Sequence, residues 1–166
     1  TTLPPLPVAT ANASLCSVIM PEGDEALVVI GGTKALKPID TVQMLRNGRW
    51  TELAPLPVVR FGYSICALSA GRVVVVGGSS RDFKSSRNVI MLDIAENTWS
   101  NLPELTQQRY RPCVIAVEDN VIVLGGRDMS LPRDQRSLAS CEQMHLGDTG
   151  EGWTEFPSLP MAPTPY

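Results

Sequence analysis

The sequence predicts an all-β chain of three repeated units, and three observations carry that prediction. An apolar run that ends in Gly-Gly occurs at residues 27–32, 73–78 and 121–126, with the doublets 46 and 48 residues apart. One Trp follows each doublet, and a Leu- and Pro-rich stretch follows each Trp. Repeats of roughly this length, up to about 50 residues, are typical of solenoids and propellers.

The repeat is defined by glycine doublets and tryptophans that fall into register. A doublet at the end of an apolar strand indicates crowding or a positive φ, either of which glycine tolerates. A methionine also recurs between doublet and Trp, as Met44, Met91 and Met144, and we expect these three to be equivalent. The predicted structural positions are Gly31, Gly32, Trp50, Gly77, Gly78, Trp99, Gly125, Gly126 and Trp153.

Each unit is predicted to form four short strands. In the second unit these are residues 64–68, 72–76, 88–93 and 98–102, which are rich in Val, Ile and Thr and bounded by Gly, Asn and Pro. Asn47-Gly48 before Trp50 is typical of a hairpin turn. No apolar pattern with helical spacing survives the many Pro and Gly residues, so no long helix is expected.

Radial stacking of these sheets follows from their apolar faces. A four-stranded sheet with apolar residues on both faces must bury each face against a neighbour, and one Trp per unit supplies a large apolar body for that contact. A solenoid is the competing architecture, but a four-stranded unit of this length favours a propeller blade. The predicted fold is therefore a partial β-propeller of three four-stranded antiparallel blades, at residues 8–57, 58–106 and 107–160. Residues 1–7 are predicted as the remnant fourth strand of a preceding blade, and 161–166 as the start of a following connection.

An apolar run, Gly-Gly, Trp and then a Leu-Pro-rich stretch resembles the kelch repeat, and the resemblance covers essentially the whole chain. It implies a β-propeller that acts as a protein-interaction module, such as a substrate adaptor or scaffold. The family usually places a Tyr shortly before the Trp, where this sequence has Leu45, Leu92 and His145. Kelch propellers close with about six blades. We therefore expect either a piece of a longer protein, which we favour, or two copies that associate to complete a ring.

Composition narrows the class of protein. With 43% hydrophobic residues and a net charge of −3, the chain is not a disordered tail, and neither nucleic acid nor a membrane is an expected partner. No apolar stretch is long enough to span a bilayer. The four cysteines include no C-x-x-C pair, so we interpret Cys16, Cys66, Cys113 and Cys141 as reduced core residues of a cytoplasmic protein, with disulfides as the less favoured alternative.

In the predicted blades, basic and acidic residues are expected to lie mainly on opposite sides. The loops between the second and third strands and the blade-to-blade connections lie on one side, here called the loop face. This side is expected to carry eleven basic residues and four acidic ones, while the opposite turns are acidic. Such charges can simply keep loops solvated. The alternative is recognition of an acidic peptide or protein by arginines, which pair with carboxylates through two hydrogen bonds. The candidate partner-binding residues are Arg60, Arg81, Arg87, Arg109, Arg111 and Arg127.

Catalysis has little support in the sequence. His145 is the single histidine, so a Ser-His-Asp arrangement or a multi-histidine metal site is not expected, and His145 is interpreted as a packed strand residue. No phosphate-binding or nucleophile motif occurs, and we expect no cofactor and no metal. The alternative function is a kelch-like small-molecule enzyme, such as a sugar mutarotase, whose site forms only in a complete propeller.

Overall fold

A computed structural model describes residues 3–80, 84–118, 120–146 and 152–160, which form three four-stranded sheets and one small hairpin. Blade 1 consists of β1 (Ser14–Ile19), β2 (Glu25–Ile30), β5 (Val42–Arg46) and β6 (Arg49–Leu53). Its hairpin, between β2 and β5, consists of β3 (Thr33–Lys34) and β4 (Lys37–Pro38). Blade 2 consists of β7 (Ser64–Leu68), β8 (Arg72–Val76), β9 (Val89–Asp93) and β10 (Thr98–Leu102). Blade 3 consists of β11 (Cys113–Val117), β12 (Asn120–Leu124), β13 (Cys141–His145) and β14 (Thr154–Phe156).

The strands of each blade lie in chain order and pair antiparallel. Between neighbouring blades the first strands lie closest, β1 against β7 and β7 against β11. The blades therefore fan out from their first strands, which confirms the predicted all-β partial propeller over a solenoid. The described residues contain no α-helix, only a single 3-10 turn at Arg133–Gln135. Accordingly, none of their helices is long or apolar enough to cross a membrane.

In blade 2, the unit for which strand bounds were predicted, β7, β8 and β10 have the predicted bounds and β9 begins one residue late. The reason is the chemistry of the turns. Asn47 and Gly48 both have positive φ, as the predicted hairpin requires, and Ala70 and Gly71 do the same between β7 and β8. The three sheets lie within the predicted blade ranges. Residues 3–7 form no strand, whereas residues 1–2 and 161–166 lie outside the described part of the chain.

The core consists of two apolar layers, one in each gap between blades. Strand β8 contributes to both, because successive side chains of a strand point to opposite faces. Val73 and Val75 pack against blade 1, while Val74 and Val76 pack against blade 3, and all four are fully buried. The continuous apolar character of the second strand is therefore explained by burial on both faces.

The indole of each tryptophan is hydrogen-bonded to the connection that precedes its blade. The indole N–H of Trp50 donates to the carbonyl of Pro4 (3.0 Å), that of Trp99 to Ala54 (2.9 Å) and that of Trp153 to Pro103 (2.8 Å). Trp153 is buried, whereas Trp50 and Trp99 are half-buried. The three acceptor carbonyls each follow a leucine of the Leu-Pro-rich stretch, which explains why that stretch recurs with the tryptophan.

Two sequence predictions are corrected in the third blade. Strand pairing places Cys141 opposite Leu124, as it places Val42 opposite Ile30 in blade 1. Counting from these pairs, Met144 is equivalent to Leu45 and Leu92 rather than to Met44 and Met91, so the predicted methionine register was wrong by one residue. His145 is exposed at the end of β13 rather than packed. Its Nδ1 lies 3.2 Å from Oδ1 of Asn120.

The four cysteines are free thiols, but they do not all belong to the core. Cys66 and Cys141 are buried and Cys16 is half-buried, while Cys113 is exposed, so the core prediction was wrong for Cys113. Burial raises the pKa of the Cys66 thiol to about 12 and that of Cys16 to about 11. These two thiols are therefore protonated and unreactive near neutral pH.

Substitution of Gly77 should destabilise the chain far more than substitution of Gly48. Both have positive φ, but a Cβ at Gly77 would overlap the carbonyl oxygen of Arg109, whereas a Cβ at Gly48 meets nothing within 4 Å. Gly48→Ala should lower the free energy of unfolding by about 1–2 kcal/mol, the cost of a left-handed residue. Gly77→Ala should cost about 1–3 kcal/mol more, because the added methyl group crowds backbone atoms. Urea denaturation measures the difference, and equal losses would contradict it.

Truncation of Trp153 separates the packing of the ring from its hydrogen bond. Trp153→Ala should cost about 3–5 kcal/mol, as expected for a buried aromatic side chain. Trp153→Phe keeps most of the ring but loses the bond to Pro103, at about 1 kcal/mol or somewhat more. Trp50→Ala is the matched control and should cost less than Trp153→Ala, because Trp50 is half-exposed. Thermal melting of the three variants gives the ranking.

Candidate functional site: the loop face

The loop face has the same backbone plan in every blade. The residue three positions before the first strand pairs with the residue after the Gly-Gly doublet, giving Ala11 with Thr33, Phe61 with Ser79 and Tyr110 with Arg127. The next residue has positive φ in each case, and these residues are Asn12, Gly62 and Arg111. This plan brings the blade-to-blade connections and the loops after the doublets together on one side.

One side chain per blade caps the carbonyl of the first doublet glycine. Thr10 Oγ1 donates to the carbonyl of Gly31 (2.9 Å) in blade 1. Arg109 Nη1 donates to Gly125 (2.7 Å) in blade 3, and Arg60 Nη1 approaches Gly77 at 3.4 Å in blade 2. These donors occupy the same place in the repeat, four residues after a leucine of each connection. The two arginines are therefore part of the architecture of the repeat.

Arg109 does not reach the surface. Its side chain has no exposed area, and its guanidinium pairs with Glu142 at 2.9 Å. It also donates to the carbonyl of Ser140 (2.8 Å) and to its hydroxyl (3.0 Å). The Nε, Nη1 and Nη2 groups of the guanidinium thus all donate to acceptors within the protein. The prediction that Arg109 contacts a partner is therefore corrected.

Arg60 is also buried, with 7% of its area exposed, but its surroundings differ. Its Nη2 donates to Oδ1 of Asn88 at 2.6 Å, and no carboxylate among the described residues lies within ion-pair distance of it. Removal from water lowers the pKa of the Arg60 guanidinium. Arg60 lines two pockets of the loop face.

Arg111 is the candidate that the structure presents to solvent. It is exposed, and its guanidinium carbon lies 5.3 Å from the centroid of the Tyr110 ring, a cation–π arrangement. Tyr110 meets Phe61 edge to face, with ring centroids 5.9 Å apart. The ring also covers Gly62, where a Cβ would overlap it. Tyr110 thus supports the Arg111 guanidinium and is itself packed edge to face against an aromatic ring of the preceding connection.

These residues border a cavity of about 540 Å³, here called the loop-face cavity, to which all three blades contribute. Its lining residues are Asn12, Ser14, Gly32, Thr33, Leu36, Pro38, Arg60, Phe61, Gly62, Tyr63, Tyr110 and Arg111. None of them is acidic. Tyr63 Oη donates to the carbonyl of Ile30 (2.8 Å) in blade 1, and burial raises its pKa to about 12, so it remains a neutral donor.

The remaining candidates lie apart from this cavity. Arg87 is exposed and pairs with Glu104 at 3.0 Å. The four acidic residues that the sequence analysis assigned to the loop face did not include Glu104. The positive charge of the loop face was therefore overstated. Arg127 is exposed next to Tyr110, whose backbone it pairs with. Arg81 lies outside the described residues.

Two functionally relevant residues escaped sequence analysis, Glu142 and Tyr63. Glu142 pairs with Arg109 across 33 residues of sequence, and Tyr63 bonds blade 2 to blade 1, so neither partner is visible in a local pattern. The sequence did contain a signal for Arg109, which stands at the repeat position that Thr10 and Arg60 occupy in the other blades. A hydrogen-bond donor that is present at the same position of every repeat is expected to stabilise the fold of the repeat. Within the described ranges, no three His, Cys, Asp or Glu side chains gather as metal ligands.

The known proteins that this chain is similar to contain kelch repeats. The model of the Kelch motif matches residues 66–106, which cover most of blade 2. Kelch repeat and BTB domain-containing protein 2 of cowpox virus is 24% identical over 91% of this chain and 28% of its own length. An F-box/kelch-repeat protein of Arabidopsis thaliana is 29% identical over 76% of the chain and 37% of its own length. Human Kelch-like protein 28 is 29% identical over 63% of the chain and 20% of its own length. The chain thus spans roughly a fifth to a third of the length of these relatives.

The buried ion pair of blade 3 should contribute more stability than the exposed pair of blade 2. Glu142→Ala should lower the free energy of unfolding by about 3–5 kcal/mol, because it leaves the Arg109 charge buried without a counterion. Glu104→Ala is the matched control and should cost about 0–1 kcal/mol, since both members of its pair with Arg87 are more than half exposed. Chemical denaturation of both variants measures the contrast, and similar losses would show that Arg109 does not depend on Glu142.

Proposed function

We propose that the chain is a kelch-repeat protein-interaction module whose loop face binds an acidic peptide or an acidic segment of a partner protein, a proposal that its similarity to the Kelch motif and to kelch-repeat relatives supports. The observation that carries the proposal is the loop-face cavity, which Arg111 borders and which no carboxylate of the described residues lines. A cation that aromatic side chains hold in place loses little conformational entropy on binding, which favours recognition of a carboxylate.

The shape and chemistry of the cavity suit a short peptide segment. Its lining combines apolar and aromatic surface from Phe61, Tyr63 and Tyr110 with hydroxyl and amide groups from Ser14 and Asn12. Sites of this kind bury an apolar body while a few polar groups fix its orientation. Tyrosine and arginine are also the residue types most enriched at the energetic centres of interfaces.

The structure revises which arginines support this function. Arg111 becomes the main candidate, and Arg127 is an exposed cation whose backbone pairs with that of Tyr110. Arg60 contributes positive charge from beneath the cavity, while Arg109 is neutralised by Glu142. Arg87 is offset by Glu104 and is expected to add little.

The relatives support a role as an adaptor or scaffold. Their names combine kelch repeats with a BTB domain or an F-box, so in those proteins the repeats accompany a second module. A chain of repeats whose described residues form no cluster of metal ligands fits the binding half of such an arrangement. The alternative of a small-molecule enzyme is not favoured by the loop-face cavity, since its lining includes no His, Asp, Glu or Cys among the residues that the structure describes.

Charge reversal at Arg111 tests the proposal. A library of acidic peptides is screened for binding to the chain, and the affinity of the best binder is measured by titration calorimetry at low and moderate salt. Arg111→Glu should weaken that affinity at least about tenfold, because it replaces attraction by repulsion at the centre of the site. The melting temperature should change little, because the side chain is exposed.

Arg49→Glu provides the matched control, since Arg49 is an exposed cation on the opposite side of blade 1. It changes the net charge by the same amount and should leave the affinity within about twofold, because charges separated by more than a Debye length are screened. Equal losses in the two variants would reduce the effect to overall charge and contradict a site at the loop-face cavity.

A further inference from the structure

The tip of the β3–β4 hairpin presents an apolar side chain to solvent at the edge of the loop-face cavity. We propose that residues 34–37, here called the hairpin tip, contact the bound partner, and that the partner segment carries a large apolar side chain next to its carboxylates. Leu36 packs against that apolar side chain, while Lys34 and Lys37 attract the carboxylates. This contact rests on the function proposed above and restricts the ligands to acidic segments that also carry an apolar side chain.

Leu36 is exposed to an extent that is unusual for a large apolar residue. It has 95% of its area accessible, whereas the next most exposed large apolar residues of the described chain, Leu3 and Leu15, reach 61%. Leu36 also borders the loop-face cavity, together with Phe61 of the following connection. A single exposed leucine is common on protein surfaces, so its exposure alone indicates no function. The backbone that carries it is the second observation.

The backbone of the hairpin tip is unfavourable for a leucine. Ala35 and Leu36 both have positive φ, at 50° and 63°. A two-residue hairpin turn requires this left-handed conformation, which a bulky side chain disfavours. The turns at residues 47–48 and 70–71 also have positive φ at both positions, but each has glycine at the second. Leu36 therefore stands against the local preference, and residues of this kind concentrate at ligand-binding sites.

The charges of the hairpin tip are also unfavourable within the chain. Lys34 and Lys37 lie directly opposite each other in the pairing of β3 with β4, and both are exposed. Like charges at opposite positions of two paired strands repel each other. Carboxylates of a bound segment are attracted by both ammonium groups, so this arrangement favours an acidic partner.

These features together match one kind of ligand. The hairpin turn holds Leu36 at a fixed position, so little backbone entropy is lost when a ligand contacts it. An apolar side chain that enters the loop-face cavity can pack against Leu36 and against the aromatic rings of the lining. A purely acidic segment would use the lysines and leave Leu36 in water. An acidic segment with an apolar side chain uses both.

Two sets of fluorescein-labelled acidic peptides of equal charge test this requirement on the intact chain. They differ in a single position, which is Leu or Phe in the first set and Ser in the second, and binding is measured by fluorescence anisotropy. The wild type should bind the first set at least about fivefold more tightly, because the contact buries apolar surface. Leu36→Asn should remove this preference and leave the affinity for the second set within about twofold.

Ala35→Asn is the matched control, since it places the same residue one position earlier in the same turn. Asparagine tolerates positive φ better than alanine or leucine, so both variants should melt at the temperature of the wild type or slightly above it. Ala35→Asn should keep the preference for the first set, and so should Leu36→Met, which retains an apolar side chain of similar volume. A lower melting temperature for Leu36→Asn than for Ala35→Asn would show that Leu36 serves the fold of the hairpin, and would overturn the proposal.

Lys37→Gln tests the charges of the hairpin tip. It should weaken the binding of both peptide sets by a similar factor, because the carboxylates are common to both. The melting temperature should not fall, since the substitution removes a repulsion between the two lysines. Unchanged affinity for both sets would contradict the role of the lysines.

The outcomes separate this contact from the function on which it depends. A preference for the first set that Leu36→Asn removes and Ala35→Asn keeps supports the contact. If acidic peptides bind and lose affinity with Arg111→Glu, but show equal affinity for both sets or the same preference with Leu36→Asn, the contact at the hairpin tip alone is overturned. If neither set binds the wild type at low salt, the proposed function is overturned and the contact with it.

Discussion

The glycine doublet that ends each second strand is the constraint on which the rest of the structure depends. At this point the chain turns with two residues of positive φ, and the first glycine donates its N–H to the residue before the third strand, at 2.7 Å in blade 1 and 3.0 Å in blade 2. The carbonyl of the same glycine accepts a side chain from the preceding connection. One turn thereby fixes the second strand, the third strand and the connection between blades. A side chain here would crowd backbone atoms of the neighbouring connection or loop, and at Gly31 the hydroxyl group of Tyr63, which is why the doublet recurs.

This constraint divides the polar residues of the loop face into two groups. Side chains that recur at the same place in each repeat, such as Arg60 and Arg109, are occupied with the carbonyl of the doublet. Arg111, in contrast, stands where blade 1 has Asn12 and blade 2 has Gly62, so no common backbone contact explains it. Residues that depart from the repeat are the ones left to recognise a partner. A repeat protein can in this way vary its binding surface while its architecture remains constant.

The sequence was sufficient for features that depend on neighbouring residues and insufficient for those that depend on distant ones. The strands of blade 2 were predictable because runs rich in Val, Ile and Thr and the turn-forming glycines and asparagines that bound them are local signals. The burial of Arg109 was not, because its counterion Glu142 lies in another strand and an exposed arginine gives the same local pattern. The methionine register failed for a related reason. The loop after the third doublet is longer, so only the pairing of β12 with β13 fixes which residue of the third strand is equivalent to Met44.

In all three blades a side chain from the preceding connection caps the carbonyl of the first doublet glycine, but the residues around that cap differ in charge. In blade 1, Thr10 caps the carbonyl and Gln43 bonds the backbone of Val8 instead of the cap. In blade 3, Arg109 caps the carbonyl and forms an ion pair with Glu142. In blade 2, Arg60 caps the carbonyl and donates to the amide oxygen of Asn88, while Ile90, at the position of Glu142, packs into the apolar layer shared with blade 1. The donor to the glycine carbonyl is thus kept in every blade, because the turn depends on it, whereas the residue at the position of Glu142 follows the packing of its own blade.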